Sequence, residues 1–346
     1  MLRYIINGLF LTQQMTGLQR YAFELCRELD RLVGRGEIAI LIPKVCPVPK
    51  VMFENIEAIT YGTHRGIVWE QTDLKNYAKR YGLRCVNFCN VTPLFLEPGV
   101  TAVHDLMFKL FPADFTTMRN RLSRRWHTFQ ADYALKHEKW IVVTSHFTRC
   151  VLEEHYPCTK GKVAVIPCGW QHVKRYEENR DWKRKYPFLE SNSYFFSMAT
   201  RSKNKNGAWI LEAARNNPQQ TFVIAGRSYE PESGELYPNV HVLGYISDSD
   251  ACSLMKNCKA FICPSFYEGF GVPPLEALAL GADIIVSNTS ALPEVFGDSA
   301  HYVDPYNADI DLEALLCEHV APADKTLEKY SWETSAKRLY QLLCLE

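Results

Sequence analysis

The stretch FICPSFYEGFGVPPLEALALGADIIVSNTSALPEV, residues 261–295, reads as a strand, a glycine-rich turn, a helix and a second strand. Gly269 and Gly271 suit a sharp turn that brings backbone close to a ligand, and Pro273 and Pro274 suit the opening of the helix that follows. Unpaired N–H groups and the positive end of the dipole make such a helix start a natural diphosphate site. Two carboxylates flank it, Glu268 before the turn and Glu276 in the first helical turn, with seven residues between them. A carboxylate repels phosphate but accepts two hydrogen bonds from a vicinal diol, on a ribose or a sugar. Taken singly, Glu276 is explained by the helix dipole and Glu268 by solvation. Together with the glycines and prolines they point to a nucleotide sugar.

Outward from this block, short β-rich runs alternate with stretches of helical period, the pattern of βαβ units around parallel sheets. One series predicts strands at 3–7, 37–42, 86–90, 100–104, 140–144 and 163–166, with helices at Gln19–Val33, Met118–His137 and Phe147–His155. A second predicts strands at 194–198, 221–225, 240–243, 260–264, 283–287 and 300–303, with helices at 206–216, 248–257 and 274–280. Between them Gly169 to Asn192 is polar, is broken by Pro187 and reads as a linker. The expected organisation is an N-terminal domain at 1–175, a C-terminal domain at 176–330 and a final helical segment at 331–346. Ligands of open α/β sheets bind outside the carboxyl ends of the strands, so two such domains would face each other across a cleft.

Composition narrows the classes. Lys plus Arg and Asp plus Glu balance at 39 each, which removes the general attraction of a nucleic-acid binder. The apolar run in MLRYIINGLF meets LTQQ too early for a signal peptide or a membrane span of roughly 20 apolar residues. The twelve cysteines are scattered and read as reduced thiols of a cytoplasmic protein. Cys85 and Cys89 lack the second pair that a zinc site would need, and no metal is expected. No dinucleotide G-x-G-x-x-G occurs in the early loop NGLFLTQQMTGL, which disfavours an oxidoreductase.

The block E-G-F-G-x-P-x-x-E-A at 268–277 resembles the Glu-x7-Glu signature of family 4 glycosyltransferases. Similar blocks are TGLQRYAFEL at 16–25, AVHDLMF at 102–108, VTSHFTRCVL at 143–152, VAVIPCGW at 163–170, KNKN at 203–206, VIAG at 223–226, VLGYIS at 242–247 and YSWETSA at 330–336. The resemblance implies an α/β protein of GT-B fold, two Rossmann-like domains whose parallel sheets face a central cleft, with the C-terminal helix crossing back. It also implies a retaining, metal-independent transferase with a nucleoside-diphosphate sugar as donor and no cofactor. In that reading Glu276 holds the ribose, Glu268 the hydroxyls of the transferred sugar, and the Gly269–Phe270–Gly271 backbone the sugar or phosphates. Lys205 faces the diphosphate, with Arg201 as the second cation and Lys203 as its competitor. Either could neutralise the leaving group in place of a metal.

Further expectations concern the first domain. His104 ends an apolar strand, where a neutral imidazole could donate to a sugar hydroxyl, with Asp105 orienting it. Gly17 and Arg20 sit at the first strand–helix loop, where the resemblance implies a turn facing donor phosphates or acceptor, and Arg20 is read equally as a ligand contact or a helix-surface charge. Trp69, Glu70 and Gln71 resemble an acceptor-side segment. Arg119, Arg121, Arg124 and Arg125 read first as a solvated helix face and second as a contact for anionic lipid or a lipid-linked acceptor at the inner face of a membrane. The acceptor expected is a saccharide or lipid-linked saccharide in surface-polysaccharide synthesis. The rival readings are a nucleotide-sugar epimerase of the same fold and an inactive sugar-nucleotide-binding protein. No protein nucleophile is expected, so the two glutamates are not the carboxylate pair of a glycoside hydrolase. The stripe Trp332, Ala336, Leu339, Tyr340 and Leu343 is read as a tether onto the N-terminal domain or as the completion of the second core.

Overall fold

A computed structural model describes residues 2–46, 53–111, 118–177, 179, 181–199, 202–226 and 236–345 of the chain. These divide into two compact units. The first is Met1–Cys168 with Trp332–Glu346, and the second is Gly169–Ser331.

The first unit is built on seven parallel strands: β1 (Tyr4–Asn7), β2 (Ile38–Pro43), β3 (Glu57–Tyr61), β4 (Arg84–Asn87), β5 (Val100–Ala102), β6 (Trp140–Val143) and β7 (Val163–Val165). They are ordered β3-β2-β1-β4-β5-β6-β7. Central runs such as YIIN and IAILIP are buried on both faces, which is why they carry no polar alternation. β3 was not anticipated. It is an edge strand, EAITY, that buries little of its surface and so lacks the apolar run that marks the others.

The second unit holds six parallel strands: β8 (Tyr194–Met198), β9 (Thr221–Ala225), β10 (Val240–Gly244), β11 (Ala260–Cys263), β12 (Asp283–Ser287) and β13 (His301–Val303). Their order is β10-β9-β8-β11-β12-β13, so the connections reverse direction between β8 and β11. Phe195, Phe222, Ile262 and Ile285 lie at the heart of its core.

The last helix, Trp332–Cys344, belongs to the first unit. Trp332 is buried edge-on to Tyr21 of the helix Gly17–Asp30 at 6.0 Å, and Ser335 Oγ donates to the Pro167 carbonyl at 2.7 Å. Its stripe therefore completes the first core rather than the second.

The stretch read as a linker is not loose. Trp170 Nε1 donates to the Leu327 carbonyl at 3.0 Å, Asn179 Nδ2 to Asp250 Oδ1 at 2.7 Å, and Trp182 is buried. A few aromatic and amide anchors fasten an otherwise polar segment to the second unit, whose first residue is Gly169. No helix among the described residues is long and apolar enough to cross a membrane.

Candidate active site

In the second unit the loops after β8 and β11 meet at the reversal point. Phe266 N donates to the Asn204 carbonyl at 2.8 Å, Asn204 Nδ2 to the Tyr267 carbonyl at 3.1 Å, and Asn206 Nδ2 to the Pro264 carbonyl at 3.0 Å. This lacing sets Lys205 beside Glu268. Lys205 Nζ donates to Glu268 Oε1 at 2.7 Å, and Ser265 Oγ donates to the same oxygen at 2.7 Å. Both strong donors use Oε1, so Oε2 keeps its lone pairs for a ligand.

The turn that follows depends on Gly271, whose φ of +98° lies in the left-handed region, and a Cβ there would meet Leu292 Cδ2 at 2.6 Å. The helix begins at Val272, so Pro273 and Pro274 fill its second and third positions and Glu276 falls in its second turn, not its first. The two prolines also remove two N–H groups that a helix start would present. The helix start therefore presents fewer free amides than a proline-free one would. Glu276 Oε1 accepts a 2.6 Å bond from Nε2 of His172, which is fully buried.

The first unit has its own polar cluster at the end of β1. Asn7 Nδ2 donates to Glu70 Oε1 at 2.7 Å and to Asn87 Oδ1 at 3.3 Å. Glu70 starts a π-helical turn, Glu70–Leu74, and is 3% exposed. Burial pushes its carboxyl up to about 7, against which the Asn7 bond acts. Glu70, Asn7, Gln13, Gln19, Cys89 and His127 help to line a cavity of about 290 Å³.

His104 Nε2 lies 2.6 Å from the Phe88 carbonyl, and the ring stands edge-on to Tyr21 at 4.7 Å. A carbonyl only accepts, so Nε2 carries the proton. Burial lowers the pKa of His104, opposed by the Phe88 bond and the Asp105 charge. The neutral ring then has Nδ1 as an acceptor, the reverse of the donor role expected from its position.

Residues 15–171 match the model of glycosyltransferase family 4, and residues 178–316 match that of the group 1 glycosyl transferases. The chain belongs to the family 4 glycosyltransferases. This transferase is 29% identical over 270 residues to the O-antigen chain mannosyltransferase B of Escherichia coli, across 73% of this chain and 68% of that relative. Sucrose-phosphate synthase of Thermosynechococcus elongatus shares its fold with a TM-score of 0.72 at 16% identity, over 98% of this chain and 97% of that one. Anabaena HepE, solved with UDP-glucose, gives 0.68 at 14% identity over 99% and 100%. The fold is GT-B.

In the transferase, Lys205, Glu268, Gly269, Phe270, Gly271 and Glu276 gather in the second unit, while Gly17, Arg20, Glu70, His104 and Asp105 belong to the first. Lys203 is exposed, and Arg201 lies outside the described residues. Arg20 is only 8% exposed, which removes the helix-surface reading. Asp105 Oδ1 accepts from Met107 N–H at 3.0 Å where the helix Met107–Leu110 begins, and its charge raises the pKa of His104 against the larger effect of burial. Leu122 and Phe129 are exposed on the helix Met118–His137, and the side chain of Arg119 is outside the described residues. Among the described residues no group of three His, Cys, Asp or Glu is placed to hold a metal, and none of the twelve cysteines is in a disulfide. Sequence reasoning missed His172 and Asn7. Each meets its carboxylate across a long separation, 104 residues for His172 and 63 for Asn7, that no local motif spans.

Proposed function

We propose that this transferase moves a hexosyl residue from a nucleoside-diphosphate sugar to a saccharide or lipid-linked saccharide hydroxyl, with retention and without a metal. The observation that carries the reading is the Lys205–Glu268 pair, 2.7 Å apart at the reversal point of the second sheet and next to the Gly271 turn. It sets a cation for diphosphate beside a carboxylate oxygen for sugar hydroxyls. Glu276 takes the ribose diol, and the Gly269–Phe270–Gly271 backbone takes the sugar and phosphates.

In the reaction the bond between the anomeric carbon and the diphosphate oxygen breaks. Lys205 and Arg201 stabilise the charge that develops on that oxygen. The acceptor oxygen bonds to the anomeric carbon on the face the diphosphate leaves, and its proton passes to the departing diphosphate. Within the first unit we assign Gly17 and His104 to donor contacts and Arg20, Asp105 and Glu70 to acceptor contacts. The Escherichia coli relative supports mannose as the first sugar to test and surface polysaccharide as the setting, and the HepE complex supports a nucleotide-sugar donor. Peripheral contact with an anionic lipid surface at the cytoplasmic face falls to Arg121, Arg124 and Arg125.

The test is incubation with GDP-mannose and UDP-glucose, with and without mannose-terminated oligosaccharide acceptors, followed by proton NMR of the anomeric signal. Acceptor-dependent release of nucleoside diphosphate and an α-linked product are expected. A β-linked product overturns retention, and donor conversion without acceptor replaces transfer by epimerisation.

A further inference from the structure

His172 is a fully buried imidazole with its Nε2 2.6 Å from Glu276 Oε1. An ionised carboxylate only accepts, so Nε2–H is the donor. The imidazole stands on a fixed base, the turn Gln171–Arg175. On one side Trp170 Nε1 donates to the Leu327 carbonyl, and on the other Gln171 Nε2 donates to the Tyr330 carbonyl, each at 3.0 Å. Tyr330 in turn stands edge-on to Phe270 of the glycine turn at 5.1 Å. The short segment entering the second unit therefore supports both the turn and the carboxylate behind it.

A glutamate on a helix surface loses much rotamer freedom when it is held in one orientation. Glu276 is held before any nucleotide arrives, so binding does not bear that loss. The bond occupies one lone pair of Oε1 and leaves Oε2 open.

We propose that His172 is a positioning residue for the donor nucleotide: it orients Glu276 so that the carboxylate presents Oε2 to the ribose 2′- and 3′-hydroxyls. This rests on the nucleoside-diphosphate-sugar reading above. His172 touches no substrate and acts only through Glu276.

The experiment is calorimetry on the full chain with GDP and UDP and with their 2′,3′-dideoxy counterparts. The unmutated protein prefers the ribonucleotide by about tenfold or more, the scale of a hydrogen bond to a charged group. His172→Phe, which fills the site without a donor, abolishes that preference, and His172→Gln, which keeps an N–H donor, restores most of it. A merely structural histidine would lower stability without changing the ratio. Retention of the full preference in His172→Phe overturns the proposal while the nucleotide reading stands. If the unmutated protein binds neither GDP nor UDP, both fall together. Should His172→Phe fail to fold, NMR of the ¹⁵N-histidine-labelled native chain decides. The His172 Nε2–H resonance shifts with the ribonucleotide and not with the dideoxy form, and an unmoved resonance overturns the proposal.

Discussion

Glu70 and Glu268 are both buried carboxyls at the carboxyl edge of a parallel sheet, 3% and 9% exposed, and their neighbours give them opposite characters. Glu70 meets a neutral amide, Asn7, at 2.7 Å, and burial drives its carboxyl up to about 7. Glu268 meets an ammonium group, Lys205, also at 2.7 Å, with the Ser265 hydroxyl on the same oxygen. An amide satisfies a carboxylate's lone pair but does not offset its charge, whereas an ammonium does both. The first unit thus holds a group that titrates near neutrality beside a cavity. The second holds an ion pair.

The sharpest way to break this contrast is Lys205→Ala. Removing a preorganised cation from a developing oxyanion lowers the turnover rate by about 10²–10³. It also leaves the buried Glu268 without its counter-charge. Turnover measured alongside thermal unfolding separates the two effects. A variant that folds and transfers sugar within a few-fold of normal would make Lys205 a structural neutraliser only.

Glu70→Gln tests the other half. A carboxyl raised from 4.5 to about 7 in the folded state contributes stability that is complete below pH 4.5, declines as pH rises toward 7 and is gone above it. That shift corresponds to about 3 kcal/mol, and the amide, which can still accept from Asn7, has no such dependence. In urea denaturation the two proteins should be similar near pH 4 to 5, and Glu70→Gln the more stable at pH 8 by up to about 3 kcal/mol. Parallel profiles would show that Glu70 is not the titrating group.

The glycines repeat the contrast on a smaller scale. Gly271→Ala forces a Cβ into a left-handed φ of +98° and against Leu292 Cδ2 at 2.6 Å, whereas a Cβ at Gly17 meets nothing within 4 Å. The first substitution should cost about 1–3 kcal/mol of stability, and the second should leave stability near normal. Equal effects in a denaturant series would mean that the second turn relaxes freely around the added methyl.

What was legible follows the range of each signal. The E-G-F-G-x-P-x-x-E-A block is local, and its glycines and prolines announce the turn and the helix start within ten residues. Buried strands such as YFFSM, TFVIA and AFIC stand out because two covered faces demand continuous apolar runs. The edge strand EAITY does not, since water replaces one neighbour. Lys205 and Glu268 could each be named from sequence, but their pairing follows from the order of strands in the sheet. His172 sat in a polar segment that read as linker, and only its fold back onto Glu276 gives it a role. The proline pair opens the helix as its place in the sequence predicts, yet the same residues reduce the amides that the helix start presents.

The smallest expected effect is none at all, and it bears on what the Lys205–Glu268 pair is for. A diphosphate leaving group needs positive charge on its bridging oxygen as the bond breaks, supplied by a divalent cation or by fixed protein cations. Glu268 is paired with Lys205, and its Oε1 already accepts from that ammonium and from Ser265. A divalent ion at this carboxylate would have to displace or repel Lys205, so the two arrangements are alternatives at one site. Turnover in excess EDTA should equal turnover in its absence, measured as release of nucleoside diphosphate with acceptor present. If EDTA abolishes turnover and magnesium or manganese restores it, the ammonium is not the charge the leaving group uses. The contrast between the two glutamates would then reduce to packing.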